Sequence, residues 1–180
     1  LLNDPEIVGY PDEEMQWQIY NWVAEKINYS DEFSVKDFGC GRGDFYKLIQ
    51  TWTAQYTGID SNPNLIQVGK QKYKDITLIN DDFLKVDLES DYSICIGTLN
   101  DDHGFDKWEY FNKTLNHALS NTKRSIIFVL SANMDDLGGF LDYPIHEMVE
   151  RLDKNLRWQI DYSKFEDIYL LTVDIGGWSK

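Results

Sequence analysis

A doubly wound α/β sheet in a single domain is the fold this sequence predicts, on three observations. Strand-like and helix-like segments alternate five times along 180 residues. The passage from the first strand to its helix is a run of alternating glycines, Gly39, Gly41 and Gly43, where the backbone must turn tightly. The last two strand-like segments are separated by only a few residues, which suits a hairpin and makes the final strand antiparallel to its neighbour.

From Asp12 to Tyr29, the apolar residues Met15, Ile19, Trp22, Val23 and Ile27 recur at the one-face spacing of a helix, with Asp12 placed to cap it. Phe33–Gly39 reads as a short strand ending on glycine, after which Phe45, Leu48, Ile49 and Trp52 return to helical spacing. Ala54–Ile59 is the second strand. Asn62 followed by Pro63 sets a capping side chain before a proline at the first helical position, where a missing N–H costs nothing, and opens a helix to about Tyr73. Ile76–Ile79 is the third strand and Tyr92–Gly97 the fourth, in which Tyr92, Ile94 and Ile96 alternate with Ser93 and Cys95. Trp108, Phe111, Leu115, Ala118 and Leu119 mark a long helix. Ser125–Leu130 is a continuous apolar run, the pattern of a central strand covered on both faces. A last helix follows from Ile145, Met148, Val149, Leu152 and Leu156, and Trp158–Tyr162 and Ile168–Val173 close the chain.

Right-handed crossovers make such a sheet mostly parallel and place ligands outside the carboxyl ends of its strands. The loops expected to build the site are therefore Gly39–Asp44, Asp60–Asn62, Asn80–Phe83, Gly97–Gly104 and Ser131–Tyr143. The last is the longest and carries Gly138, Gly139, Phe140 and Tyr143, which reads as a substrate lid. No internal repeat or low-complexity linker divides the chain.

Seventeen Lys and Arg against 31 Asp and Glu give a formal net charge of −14, which repels phosphate backbones and disfavours nucleic acid as a partner. Two cysteines, Cys40 and Cys95, are too few for a disulfide framework and fit a reducing cytoplasm. No window approaches the ~18 apolar residues of a membrane span. The first twelve residues lack a basic-then-apolar signal pattern, although the chain does not begin with Met.

The strongest motif is Asp37-Phe38-Gly39-Cys40-Gly41-Arg42-Gly43, between a predicted strand and a predicted helix. Glycine there removes the side chain that would keep a ligand from the backbone. A dinucleotide fingerprint would read G-x-G-x-x-G. Here the third glycine comes one residue early and Asp44 stands in its place, where an acid would face a pyrophosphate. A ligand without phosphate is preferred.

Asp37-x-Gly39-x-Gly41-x-Gly43 resembles the first signature motif of class I S-adenosylmethionine-dependent methyltransferases, and the match continues in order. Asp60, in Thr57-Gly58-Ile59-Asp60-Ser61, resembles the acid that hydrogen-bonds both ribose hydroxyls in that family, and a carboxylate with two acceptor oxygens suits a vicinal diol. Asn80-Asp81-Asp82-Phe83-Leu84 is similar to the loop in which an acid meets the adenine amino group and the next residue lines the ring. Asp82 aligns with that acid, and Asp81 stays open. The resemblance runs from about Ser34 to Val173 and implies a Rossmann-like seven-stranded sheet of order 3-2-1-4-5-7-6. The cofactor implied is S-adenosylmethionine, held by Asp37, Gly39, Cys40, Gly41, Asp60, Ser61, Asp82, Phe83 and Gly97. Residues 1–32 would then be an N-terminal helical segment, with Tyr10 and Trp17, closing over the cofactor, and 33–180 the methyltransferase domain.

Methyl transfer is an in-line displacement at an activated sulfonium, so alignment supplies much of the acceleration and no fixed triad is required. If the acceptor must lose a proton, His103 in Asn100-Asp101-Asp102-His103 is the candidate base. Asp101, Asp135 and Asp136 with Asn133 offer oxygen ligands for magnesium, but their spacing departs from the catechol-type branch of the family, and no metal is expected. Gly97-Thr98-Leu99-Asn100 replaces the Asp/Asn-Pro-Pro-Tyr/Phe element of DNA amino-methyltransferases. With the negative charge, this favours a small-molecule acceptor, with protein second. The alternatives are a non-catalytic subunit that binds the same cofactor beside a partner enzyme, or another nucleotide-cofactor enzyme of the same fold.

Overall fold

The seven apolar runs become seven strands: β1 (Phe33–Phe38), β2 (Ala54–Asp60), β3 (Thr77–Asn80), β4 (Ser90–Ile96), β5 (Thr122–Ser131), β6 (Arg157–Asp161) and β7 (Ile168–Asp174). They form one mixed sheet of order β3-β2-β1-β4-β5-β7-β6. The computed structural model describes residues 11–29, 31–52, 54–132 and 140–176. The chain divides into two compact units, residues 1–86 and 87–180.

In the first unit β1 and β2 run parallel from Phe33↔Ala54 to Phe38↔Ile59, and β2 and β3 from Thr57↔Thr77 to Asp60↔Asn80. Helix α1 (Glu13–Ala24) starts where expected, with Asp12 accepting the Met15 N–H at 2.7 Å, and buries Ile19, Tyr20, Trp22 and Val23. The helix expected from Phe45 to Trp52 is only the single turn α2 (Tyr46–Ile49). Around it Tyr46, Lys47 and Leu48 each bond three residues back, to Gly43, Asp44 and Phe45. Chain leaving the glycine turn is thus wound tightly, in 3-10 fashion, before it can settle into α-helix. Helix α3 (Pro63–Lys72) has its cap as predicted, the Asn62 side chain accepting the Asn64 N–H at 3.0 Å.

Gly69 lets α3 lie against the glycine turn. A Cβ there would stand 2.4 Å from the Arg42 carbonyl oxygen and 2.6 Å from Leu78 Cδ1. Backbone cannot rotate away as a side-chain tip can, so Gly69→Ala is expected to lower the unfolding free energy by about 3 kcal/mol. Urea denaturation of the variant against wild type checks it.

In the second unit β4 and β5 are parallel, with Ser93↔Ile126 to Ile96↔Val129 in register. The hairpin β6–β7 is antiparallel and β7 also runs antiparallel to β5, as the short link predicted. Ile126, Ile127, Phe128 and Leu130 of β5 are fully buried. Helix α4 (Lys107–Asn121) is capped by Asp106 and packs Trp108, Phe111, Leu115 and Ala118 inward. Helix α5 (Ile145–Arg151) ends earlier than its apolar spacing implied, because Leu152 turns to extended backbone at ψ 135°.

Candidate functional site

β1 delivers the chain into a turn in which Gly39, Gly41 and Gly43 have φ of 68°, 56° and 78°, the left-handed region that side chains disfavour. The amides of Gly39 and Cys40 both donate to the Ile59 carbonyl, at 2.8 and 3.1 Å, and so fix the turn to the end of β2. There Asp60 accepts the Gly41 N–H on Oδ2 and the Asn62 N–H on Oδ1, each at 2.8 Å. A carboxylate has about four lone-pair sites. Two are used, and each oxygen keeps one for a further donor. Partial burial raises the Asp60 carboxyl above its ordinary value, and the two backbone N–H bonds oppose that rise. Asn80, which sequence reasoning left without a role, donates its amide to the Asp60 carbonyl at 2.9 Å and ties β3 to the same corner.

Asp37 does not face solvent. It is 3% exposed, and its Oδ2 accepts the Tyr56 hydroxyl at 2.6 Å. Burial pushes its carboxyl up to about 7, against the Tyr56 bond, with the nearby Asp60 charge adding to the rise. Cys40 is buried over Gly58, where a Cβ would meet its Sγ at 2.6 Å, and burial pushes its thiol well up. Both cysteines are free thiols.

Asp44 corrects an expectation. The sequence places it where it would confront a ligand's phosphates, but the structure turns it into a buried ionic cluster. Its oxygens take the Arg42 guanidinium at 2.6 Å, Lys72 Nζ at 2.8 Å and the Tyr73 hydroxyl at 3.0 Å. Burial pushes its carboxyl up, yet Lys72 and Arg42 outweigh it and hold it below the ordinary value. The cluster lies in a cleft of about 650 Å³ lined by Glu13, Gln16, Trp17, Lys47 and Tyr73 among others. Trp17 of α1 stands there with Lys47 Nζ 4.8 Å from its ring centre. Tyr10 lies outside the described residues.

In the loop after β3, Asp82 accepts the Leu84 N–H at 3.0 Å and caps the short 3-10 turn Phe83–Lys85. Asp81 is exposed and accepts the Asp82 N–H. Phe83 is buried with its ring 4.9 Å from that of Phe38. Ser61 is exposed beside Asp60.

In the second unit Gly97 has φ 77° and opens a 3-10 turn, Thr98–Asn100. A Cβ on Gly97 would meet nothing within 4 Å. Sequence reasoning missed the residue that organises this loop. Asn100, 4% exposed, donates to the Leu141 carbonyl at 2.6 Å and accepts the Ser131 N–H at 3.3 Å. The Tyr143 hydroxyl donates to the Leu99 carbonyl at 3.0 Å, so both ends of the 131–143 loop are fastened to the segment after β4. Residues 133–139, with Asn133, Asp135, Asp136, Gly138 and Gly139, lie outside the described residues. His103 is exposed, with Nε2 3.0 Å from the Thr98 carbonyl. A carbonyl oxygen only accepts, so Nε2 is the donor in that contact. Among the described residues no group of three or more His, Cys, Asp or Glu could hold a metal ion.

Residues 35–125, about half the chain and including the glycine turn, Asp60, Asp82 and Gly97, match the family model described as methyltransferase domain. The chain belongs to that methyltransferase family. The Mycobacterium tuberculosis protein Rv1506c, whose name assigns it provisionally to the methyltransferases, is 32% identical over 79 residues, 41% of this chain. The match covers 46% of that protein, so the chain spans less than half the length of this curated relative. Among solved structures, the PH0226 protein of Pyrococcus horikoshii has a TM-score of 0.72 at 16% identity, with 93% of this chain and 92% of that one covered. Magnesium protoporphyrin IX methyltransferase of Synechocystis, with bound S-adenosylmethionine, has a TM-score of 0.64 at 17% identity, covering 89% and 78%. These likenesses show that the methyltransferase shares their fold. Among its described residues no helix is long and apolar enough to cross a membrane.

Proposed function

We propose that the methyltransferase binds S-adenosylmethionine at the glycine turn and transfers the methyl group to a small-molecule acceptor. The observation that carries this reading is the Asp60 carboxylate, oriented by two backbone N–H bonds with one lone pair free on each oxygen. Two free acceptor positions, one on each oxygen, fit the two hydroxyl donors of a vicinal diol, the ribose of an adenosyl group. Gly39 and Gly41 let backbone approach the ligand, and Ser61 stands beside the ribose site. Asp37 and Cys40, both buried, support the turn from below. Asp82 and the Phe83 backbone would meet the adenine.

When bound, the cofactor supplies a methyl group already activated on a sulfonium. What remains for the protein is alignment, exclusion of water and removal of a proton where the acceptor carries one. His103 Nδ1 is the proton acceptor in this reading, with Nε2 held by Thr98. In this reading α1 of the N-terminal segment covers the bound cofactor. The net charge of −14 attracts the sulfonium and repels nucleic acid, and the compartment that fits two free thiols is the cytoplasm.

Amide chemical shifts test the site directly. S-adenosylhomocysteine is expected to move the Gly39, Gly41 and Asn62 resonances in a saturable way while NAD leaves them in place. Shifts confined to other residues, or produced equally by NAD, would remove the adenosyl site from the turn.

A further inference from the structure

The loop after β4 carries an exposed aromatic surface. Phe105 is 62% exposed, and its ring stacks on Tyr110 of α4 with centroids 5.6 Å apart and planes at 26°. His103 adds a third ring, 5.2 Å from the same Tyr110. A large ring left in water costs hydrophobic free energy, and such patches mark binding surfaces.

The surroundings say what would bind. Residues 101–113 hold four acids, Asp101, Asp102, Asp106 and Glu109, all exposed, and two lysines. Lys107 is held by Asp142 at 3.0 Å and Lys113 by Glu109 at 2.7 Å. The patch therefore presents ring faces amid an excess of negative charge. This is the chemistry of cation–π and carboxylate recognition of an ammonium group on a flat apolar body. An anionic ligand would be repelled.

We propose that this patch binds an organic amine, cationic at neutral pH, carried on a planar apolar framework.

Three probes with one ring system and different charge separate the contributions: tryptamine, indole and indolepropionate, titrated calorimetrically into the whole chain. Wild type is expected to bind tryptamine at least about tenfold more tightly than indole and indolepropionate more weakly still. Phe105→Ala, an exposed substitution, is expected to weaken tryptamine about fivefold or more. Asp102 and Asp106 each cap a neighbouring N–H, at Gly104 and Glu109, through Oδ1. The double variant Asp102→Asn/Asp106→Asn keeps those acceptors and removes two charges, so it is expected to reduce the preference for tryptamine while leaving indole unchanged. Equal binding of the three probes, or tryptamine binding indifferent to Phe105, would overturn the assignment.

Discussion

Asp37→Asn is expected to abolish a loss of stability that the wild-type protein suffers as pH rises from about 4 to about 7. The Asp37 carboxyl is pushed from its ordinary 3.8 up to about 7 by burial, which outweighs the Tyr56 hydrogen bond. Below pH 3.8 it is protonated in both states. Above that value the unfolded chain releases the proton while the folded protein keeps it, so the unfolded state binds fewer protons and unfolding becomes easier. Each pH unit in the window costs up to about 1.4 kcal/mol, on the order of 4 kcal/mol across it. Asparagine does not ionise and still offers an oxygen to the Tyr56 hydroxyl, now 2.6 Å away. Any constant penalty for the swap cancels when the difference between variant and wild type is followed against pH. Urea midpoints from pH 4 to pH 8 should show the variant gaining on wild type up to about pH 7 and the difference levelling off above it. Parallel curves would mean that Asp37 ionises normally beneath the turn.

Asp60→Ala is expected to weaken binding of an adenosyl ligand about a thousandfold. Two hydrogen bonds from hydroxyls to a charged acceptor contribute roughly 1.5–3 kcal/mol each, and a factor of a thousand is about 4 kcal/mol. The side chain also anchors the turn through Gly41 and Asn62, so alanine frees the backbone that the ligand must approach. Asp60→Asn separates these effects. It keeps one acceptor oxygen and most of the local geometry, and it should lose less than alanine does. Titration calorimetry of both variants checks the order.

Much of this was legible in the residues because each signal had one physical solution. Asn62-Pro63 can cap and open a helix, and does. The continuous run in Ser125–Leu130 demands cover on both faces, and Ile126, Ile127, Phe128 and Leu130 are fully buried. The glycine turn and Asp60 were readable because positive φ and a strand-end acid leave traces in sequence. What stayed hidden depends on contacts between distant residues. Asp44 looked like a ligand-facing acid because nothing local announces its pairing with Lys72, 28 residues on. Asn100 and Tyr143 read as ordinary loop residues, since their partners are carbonyls and amides 31 to 44 positions away. The helix forecast from Phe45 to Trp52 failed because apolar spacing reports which face is buried, not whether tight winding out of a glycine turn leaves room for regular helix.

The most direct measurement is calorimetric titration of S-adenosylhomocysteine into the wild-type chain, with NAD as the control. The Asp60 geometry and the family match lead to saturable one-to-one binding of the adenosyl ligand, none of NAD, and loss of the signal in Asp60→Ala. NAD binding in its place, or adenosyl binding untouched by the substitution, would contradict the assignment of the glycine turn and Asp60 as the cofactor site.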